Sequence, residues 1–132
     1  MPVIIDGWNL VRNDRSPIKD DGGDSTDAAA DLVFYFEDFQ RTHRDPVIIV
    51  FDSSHEHLGL AHRNSELLKV VASRNADNYI KKYIDSTPER QRRNLRVVSS
   101  DSEIFFYAKS SYATPIKSEE FWGKLKRKGK NV

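Results

Sequence analysis

Two short runs constrain the fold of this chain more than any other feature. Pro2–Asp6 (PVIID) and Pro46–Asp52 (PVIIVFD) are continuous apolar segments rich in β-branched residues. A strand with one wet face alternates apolar and polar residues. A run without alternation has to be covered on both faces, as happens in a parallel sheet between layers of helix. Leu67–Ala72 and Leu95–Ser99 read as weaker strands of the same kind. Between them lie helical spacings: Leu32, Phe36 and Phe39; Ala76, Ile80, Tyr83 and Ile84; Ile104, Phe105 and Ala108; Phe121, Trp122 and Leu125. Strand and helix in alternation predict an α/β fold, a three-layer α/β/α sandwich with a central, mostly parallel sheet. Thr114–Ile116 reads as a short last strand, at an edge because Pro115 lacks an N–H. Asp24 or Ser25 is expected to cap the helix that runs to about Thr42, and Ser102 the next-to-last helix. Ser118, with Glu119 and Glu120, is expected to open the final one.

A chain of 132 residues has room for one such domain, expected over residues 1–125 with a basic tail at 126–132. The 11% of aromatic residues can fill a core. Tyr79, Tyr83, Phe105, Phe106, Tyr107, Phe121 and Trp122 are expected there. The absence of cysteine excludes a disulfide framework, a thiolate zinc site, an iron–sulfur cluster and a cysteine nucleophile. The longest apolar runs, Val33–Phe36 and Val47–Phe51, fall far short of the ~20 residues of a membrane span, and Asp6 interrupts the opening Val3–Ile5 where a signal peptide needs its apolar stretch. A soluble, cytoplasmic protein without a membrane partner is expected.

The net charge of +1 hides an asymmetry. Residues 1–45 carry 10 acidic and 5 basic side chains, so the excess of positive charge lies in the rest. It gathers in two clusters: Lys81, Lys82, Arg90, Arg92, Arg93 and Arg96, then Lys117, Lys124, Lys126, Arg127, Lys128 and Lys130. A phosphate-rich partner accounts for that distribution, and so do solvated helix faces.

The acidic residues are more informative. Asp6 ends the first strand, Asp52 ends the second, and Asp101 follows the Leu95–Ser99 strand by two residues. In an open parallel sheet the C-terminal strand ends share one edge, the edge where ligands bind. These three should therefore be neighbours, with Asp77, in the first turn of a following helix, as a fourth. Carboxylates packed together repel one another, and a divalent cation relieves the cost. All-oxygen ligands suit Mg²⁺ or Mn²⁺, one ion or two, and such ions support phosphodiester hydrolysis. Taken singly, an Asp after a strand is more often a helix cap or turn residue.

The segments VIIDGWNL (3–10), VIIVFDSS (47–54), ADNYI (76–80), RVVSSDSEI (96–104) and IKSEEFWGKL (116–125) resemble, in order, the NYN-domain, YacP-like group of PIN-like ribonucleases. The resemblance implies a PIN-like sandwich and Mg²⁺- or Mn²⁺-dependent RNA cleavage. It implies that Asp6, Asp77 and Asp101 are metal ligands, directly or through water, with Asp52 completing the cluster. Asn9 would orient Asp6 or contact the scissile phosphate, and Ser99 would hold an acidic side chain or a metal-bound water.

RNA, free or ribosome-associated, is the expected partner of a monomer or weak homodimer. Arg74 brings a cation near the acidic site. Arg74, Lys81, Arg90, Arg92, Arg93, Lys126, Arg127 and Lys128 are the expected RNA grip, and Trp8 is a candidate for stacking on a base or for packing into the sheet edge. His55, His57 and His62 fall in a loop expected to face substrate; no later histidine completes a zinc set. Asp20, Asp21, Asp24 and Asp27 lack the spacing of a calcium loop. The alternatives are a catalytically silent RNA- or ribonucleoprotein-binding module on the same fold and a phosphate-acceptor signalling domain with Asp52 as acceptor.

Overall fold

The structure is a computed structural model that describes residues 1–18, 26–52 and 65–129. Five strands, β1 (Val3–Asp6), β2 (Val47–Asp52), β3 (Leu68–Ser73), β4 (Arg96–Val98) and β5 (Thr114–Ile116), form one sheet in the order β3-β2-β1-β4-β5. Every pairing is parallel. The absence of alternation in the two long apolar runs has its reason here: β1 is buried on both faces throughout, and β2 is buried at four of its six positions. Pro115 sits in β5, an edge strand, as its missing N–H requires.

Helices cover both faces. Helices α1 (Gly7–Val11), α2 (Thr26–Phe39) and α6 (Ser118–Gly129) pack on one side, where Phe36, Phe51 and Trp122 fill the core with Val3 and Ile5. Helices α3 (Ala76–Ser86) and α5 (Ser102–Ser110) pack on the other, over Ile4, Val50 and Val97. A further four-residue helix, α4 (Glu89–Arg92), joins α3 to β4 and has no buried residue. The sandwich expected from alternation is therefore present, with two short helices that the spacing does not announce.

The strand order fixes where a ligand site can form. From β1 the chain steps outward through β2 to β3, then returns across α3 to place β4 on the other side of β1. The β1/β4 boundary is thus the point where the winding reverses, leaving a crevice at the C-terminal strand ends. Gly7 marks the tightest approach there: a Cβ would lie 2.6 Å from the buried Phe51 ring and 3.1 Å from the Val50 carbonyl oxygen. Only a glycine lets α1 turn off β1 this close to β2.

Candidate active site

Register assembles the site. Ile5 pairs with Val98, so Ser99 stands beside Asp6 across the crevice. Ser99 Oγ donates to Asp6 Oδ2 at 3.2 Å and accepts the Asp101 N–H at 3.1 Å. Asp6 is only 9% exposed. Burial raises its carboxyl to about 6, aided by the charges of Asp77 and Asp101 and opposed by the Ser99 hydroxyl and the Asn9 backbone N–H.

The neighbouring helices supply the rest. Asn75 caps α3 by accepting the Asn78 N–H at 2.9 Å, which sets Asp77 in the first turn. Asp101 caps α5, and the cap uses one carboxylate oxygen: Oδ1 accepts the Glu103 and Ile104 N–H groups at 2.9 and 3.2 Å. The second oxygen is not needed for the cap, so the structural and the ligand roles of Asp101 are compatible. Asp101 takes the capping position expected of Ser102, which is instead the first helical residue.

Carboxylate oxygens of Asp77, Asp101 and Glu103 all lie within 4.8 Å of one another, the one such group among the described residues. Burial and the charges of Asp101 and Glu103 push the Asp77 carboxyl above its ordinary range. Lys81, one turn beyond Asp77, sets its Nζ 2.6 Å from Glu103 Oε1 and 5.4 Å from the Tyr107 ring centre. Asp6, Asp52 and Asp77 share a cavity of about 710 Å³ with Asn9, Arg12 and Ser100. Three converging oxygen donors beside a buried carboxylate that resists ionisation fit a hard divalent cation such as Mg²⁺ or Mn²⁺. Asp52 stands on the rim of this arrangement rather than in the close group.

Asn9 has a different task from orienting Asp6 with its side chain. Its Oδ1 accepts the Ser100 N–H at 2.8 Å and the hydroxyl of the fully buried Ser118 at 2.6 Å. Because a backbone N–H demands an acceptor, Oδ1 is fixed in that position, and Nδ2 has no partner among the described residues. Ser100 Oγ donates to Glu119 at 2.5 Å and accepts the Ser118 N–H at 3.0 Å, tying α6 to the same loop.

Trp8 resolves toward packing. It is 5% exposed, meets Phe51 edge-on, and donates its indole N–H to the Asp52 carbonyl at 2.7 Å. The Arg12 guanidinium covers it at 4.8 Å, so base stacking on Trp8 is not supported. Phe106 departs from the core assignment in the other direction, at 59% exposure.

Of the expected RNA grip, Lys81 joins the acidic group, and Arg74 is exposed in the β3–α3 connection near it. Arg90, Arg92 and Arg93 precede β4 and therefore lie at the opposite, N-terminal edge of the sheet. Arg92 is engaged there, donating to the Thr87 and Asp85 carbonyls at the end of α3. The side chains of Lys126, Arg127 and Lys128, and all of His55, His57, His62, Asp20, Asp21, Asp24 and Ser25, lie outside the described residues. Sequence reading missed Glu103 and Arg12. The D-x-E spacing from Asp101 to Glu103 was the available signal for the first; the second depends on α1, which has no apolar period of its own.

The model of the YacP-like NYN domain matches residues 3–132. This chain belongs to that family. Crystal structures of Rae1 (YacP) from Bacillus subtilis share the fold: one is 18% identical with a TM-score of 0.71, 99% of this chain covering 78% of that one. A tryptophan-to-leucine mutant of the same protein gives 16% identity and a TM-score of 0.73, with 99% and 77% covered. No curated protein matches the sequence. The YacP-like NYN assignment brings a ribonuclease-type fold, and the acidic group occupies the ligand-binding edge of that fold. Among the described residues no helix is long and apolar enough to cross a membrane.

Proposed function

We propose that this YacP-like NYN domain is a Mg²⁺- or Mn²⁺-dependent endoribonuclease acting on cytoplasmic RNA, free or ribosome-associated. The observation that carries the reading is the convergence of Asp77, Asp101 and Glu103 within 4.8 Å beside the buried Asp6. Asp77, Asp101 and Glu103 would hold the ion, with Asp6 and Asp52 at its margin. Such an ion, when bound, supplies positive charge to a phosphoryl oxygen and acidifies water.

The chain's own groups do the positioning. Ser99 bridges Asp6 and the Asp101 backbone and so fixes the spacing of two carboxylates from two strands. Asn9, its oxygen locked by Ser100 and Ser118, presents Nδ2 as a donor to a phosphate oxygen. Lys81 is placed to steady the departing 3′ oxygen once substrate loosens its hold on Glu103. The oxygen of water bonds to phosphorus, the bond to the 3′ oxygen breaks, and a proton ends on that oxygen. The products are 5′-phosphate and 3′-hydroxyl ends.

The test is cleavage of a mixed single-stranded and structured RNA pool in Mn²⁺, with end analysis, for wild type, Asp6→Asn and Asp101→Asn. Cleavage by wild type alone, abolished by EDTA, supports the reading; cleavage that survives in both variants overturns it. One observation favours a silent RNA-binding module instead: Lys81 already neutralises Glu103 inside the acidic group. RNA bound but not cut in Mn²⁺ selects that alternative.

A further inference from the structure

Helix α5 ends in a Schellman turn. The Tyr112 N–H reaches the Lys109 carbonyl at 3.2 Å, and the Ala113 N–H reaches the Ala108 carbonyl at 2.9 Å. This turn needs a left-handed residue at position 112, where glycine or asparagine is the favoured choice. The chain instead places tyrosine there, at φ 67°. A bulky residue in this conformation is strained, and such strain persists only where the surrounding structure over-determines it, most often at ligand-binding and other functional positions. The ring is not recovered by packing, since Tyr112 is 70% exposed.

Tyr112 borders an open concavity of about 640 Å³ together with Pro88, Glu89, Arg90 and Arg93. The Arg90 and Arg93 side chains are exposed and make no hydrogen bond or ion pair among the described residues. Arg92, between them, is turned away to carbonyls of the α3 end. Thr114 Oγ1 donates to the Arg93 carbonyl at 2.7 Å, which fastens the arginine segment to the strand that follows Tyr112. An exposed ring flanked by two uncommitted guanidinium groups is the equipment of a nucleotide contact: the ring stacks on a base of any identity and the arginines meet phosphates. Glu89 is the one acidic group on this rim.

We infer that Tyr112, Arg90 and Arg93 form a second, sequence-tolerant contact for single-stranded RNA, remote from the carboxylates. The inference rests on the proposed action on RNA and extends it to a named surface. Arg93 lies three residues before β4 and Asp101 three after it, so the two sites are separated by the thickness of the sheet edge to edge. Eight residues of fully extended chain reach at most about 26–29 Å, which bounds the separation of Arg93 and Asp101 from above. A short oligonucleotide reaches one site; a longer one spans both.

The experiment measures fluorescence-anisotropy binding, in EDTA, of unstructured RNAs of about 4 and about 20 nucleotides, the first at the lower limit of the ~4–16 that one OB-fold groove holds and the second beyond it. The proteins are wild type, Tyr112→Gly, Tyr112→Asn, Tyr112→Phe, Arg90→Ala/Arg93→Ala and Glu89→Gln. The first two variants should unfold at higher temperature than wild type, because they relieve the left-handed strain. They should nevertheless bind the long RNA at least about fivefold more weakly. Tyr112→Phe should retain binding, the arginine variant should weaken it and flatten its salt dependence, and Glu89→Gln should tighten it. Cleavage of the short RNA in Mn²⁺ should be the same in wild type and the Tyr112 variants. Unchanged long-RNA affinity in the Tyr112 and arginine variants overturns the second contact, whether or not wild type cleaves. A Tyr112-dependent affinity without cleavage by wild type retains the contact and removes the nuclease reading.

Discussion

Replacing Asp6 by Asn is expected to stabilise the metal-free protein by an amount that depends on pH. The folded carboxyl titrates at about 6 against 3.8 in the unfolded chain, chiefly because it is buried. Between those values the folded protein holds a proton that the unfolded chain has released. Stability therefore falls as pH rises through this window and is flat above it. The gap corresponds to about 3 kcal/mol at pH 7 and to about 0.6 kcal/mol at pH 4. Asparagine keeps the shape and still accepts from Ser99 Oγ, so most of that cost should be recovered. Asp77 titrates in the same direction and Asp45 in the opposite one, which makes the difference between wild type and variant, rather than either curve, the informative quantity. The assay is urea unfolding in EDTA at pH 4 and pH 7. Asp6→Asn should exceed wild type by about 2–3 kcal/mol at pH 7 and by only about 0.5 kcal/mol at pH 4. A variant no more stable at pH 7, or equally more stable at both values, refutes the claim that Asp6 is held as a costly buried charge.

Gly7→Ala should destabilise by about 1–3 kcal/mol in thermal or urea unfolding, because its methyl group meets the buried Phe51 ring and the Val50 carbonyl. Asn9→Ala should lose about 1–3 kcal/mol by leaving the Ser100 N–H and the buried Ser118 hydroxyl without their acceptor, read by the same method. Lys81→Met should tighten Mn²⁺ binding by about two- to fivefold in calorimetry, since Glu103 loses its competing cation, whereas Glu103→Gln should weaken it.

Much of the frame was legible because its signals are local. The unalternating runs ending at Asp6 and Asp52 identified buried parallel strands, and strand ends identified the edge where Asp6, Asp77 and Asp101 meet. Helix α1 was not legible, since its five residues follow a strand directly and four of them are buried, which erases any helical period. Helix α4 hid for the opposite reason: Glu89–Arg92 is polar throughout. Phe106 misled because α5 buries only the narrow face of Ile104 and Ala108, so an aromatic run of three cannot all turn inward. The position of Arg90 and Arg93 follows from the same rule that placed the aspartates. Residues before a parallel strand stand at the edge opposite to residues after it, and charge clustering along the chain does not reveal that separation. The left-handed Tyr112 has no sequence signature, because it depends on where α5 stops.

Metal-dependent cleavage is tested most directly by a Mn²⁺ titration in which bound ion, by electron paramagnetic resonance, and RNA cleavage are followed in the same samples. Both should rise together in wild type, and Asp101→Asn should lose both. Cleavage that persists in EDTA, or that Asp101→Asn retains without binding the ion, would contradict that dependence.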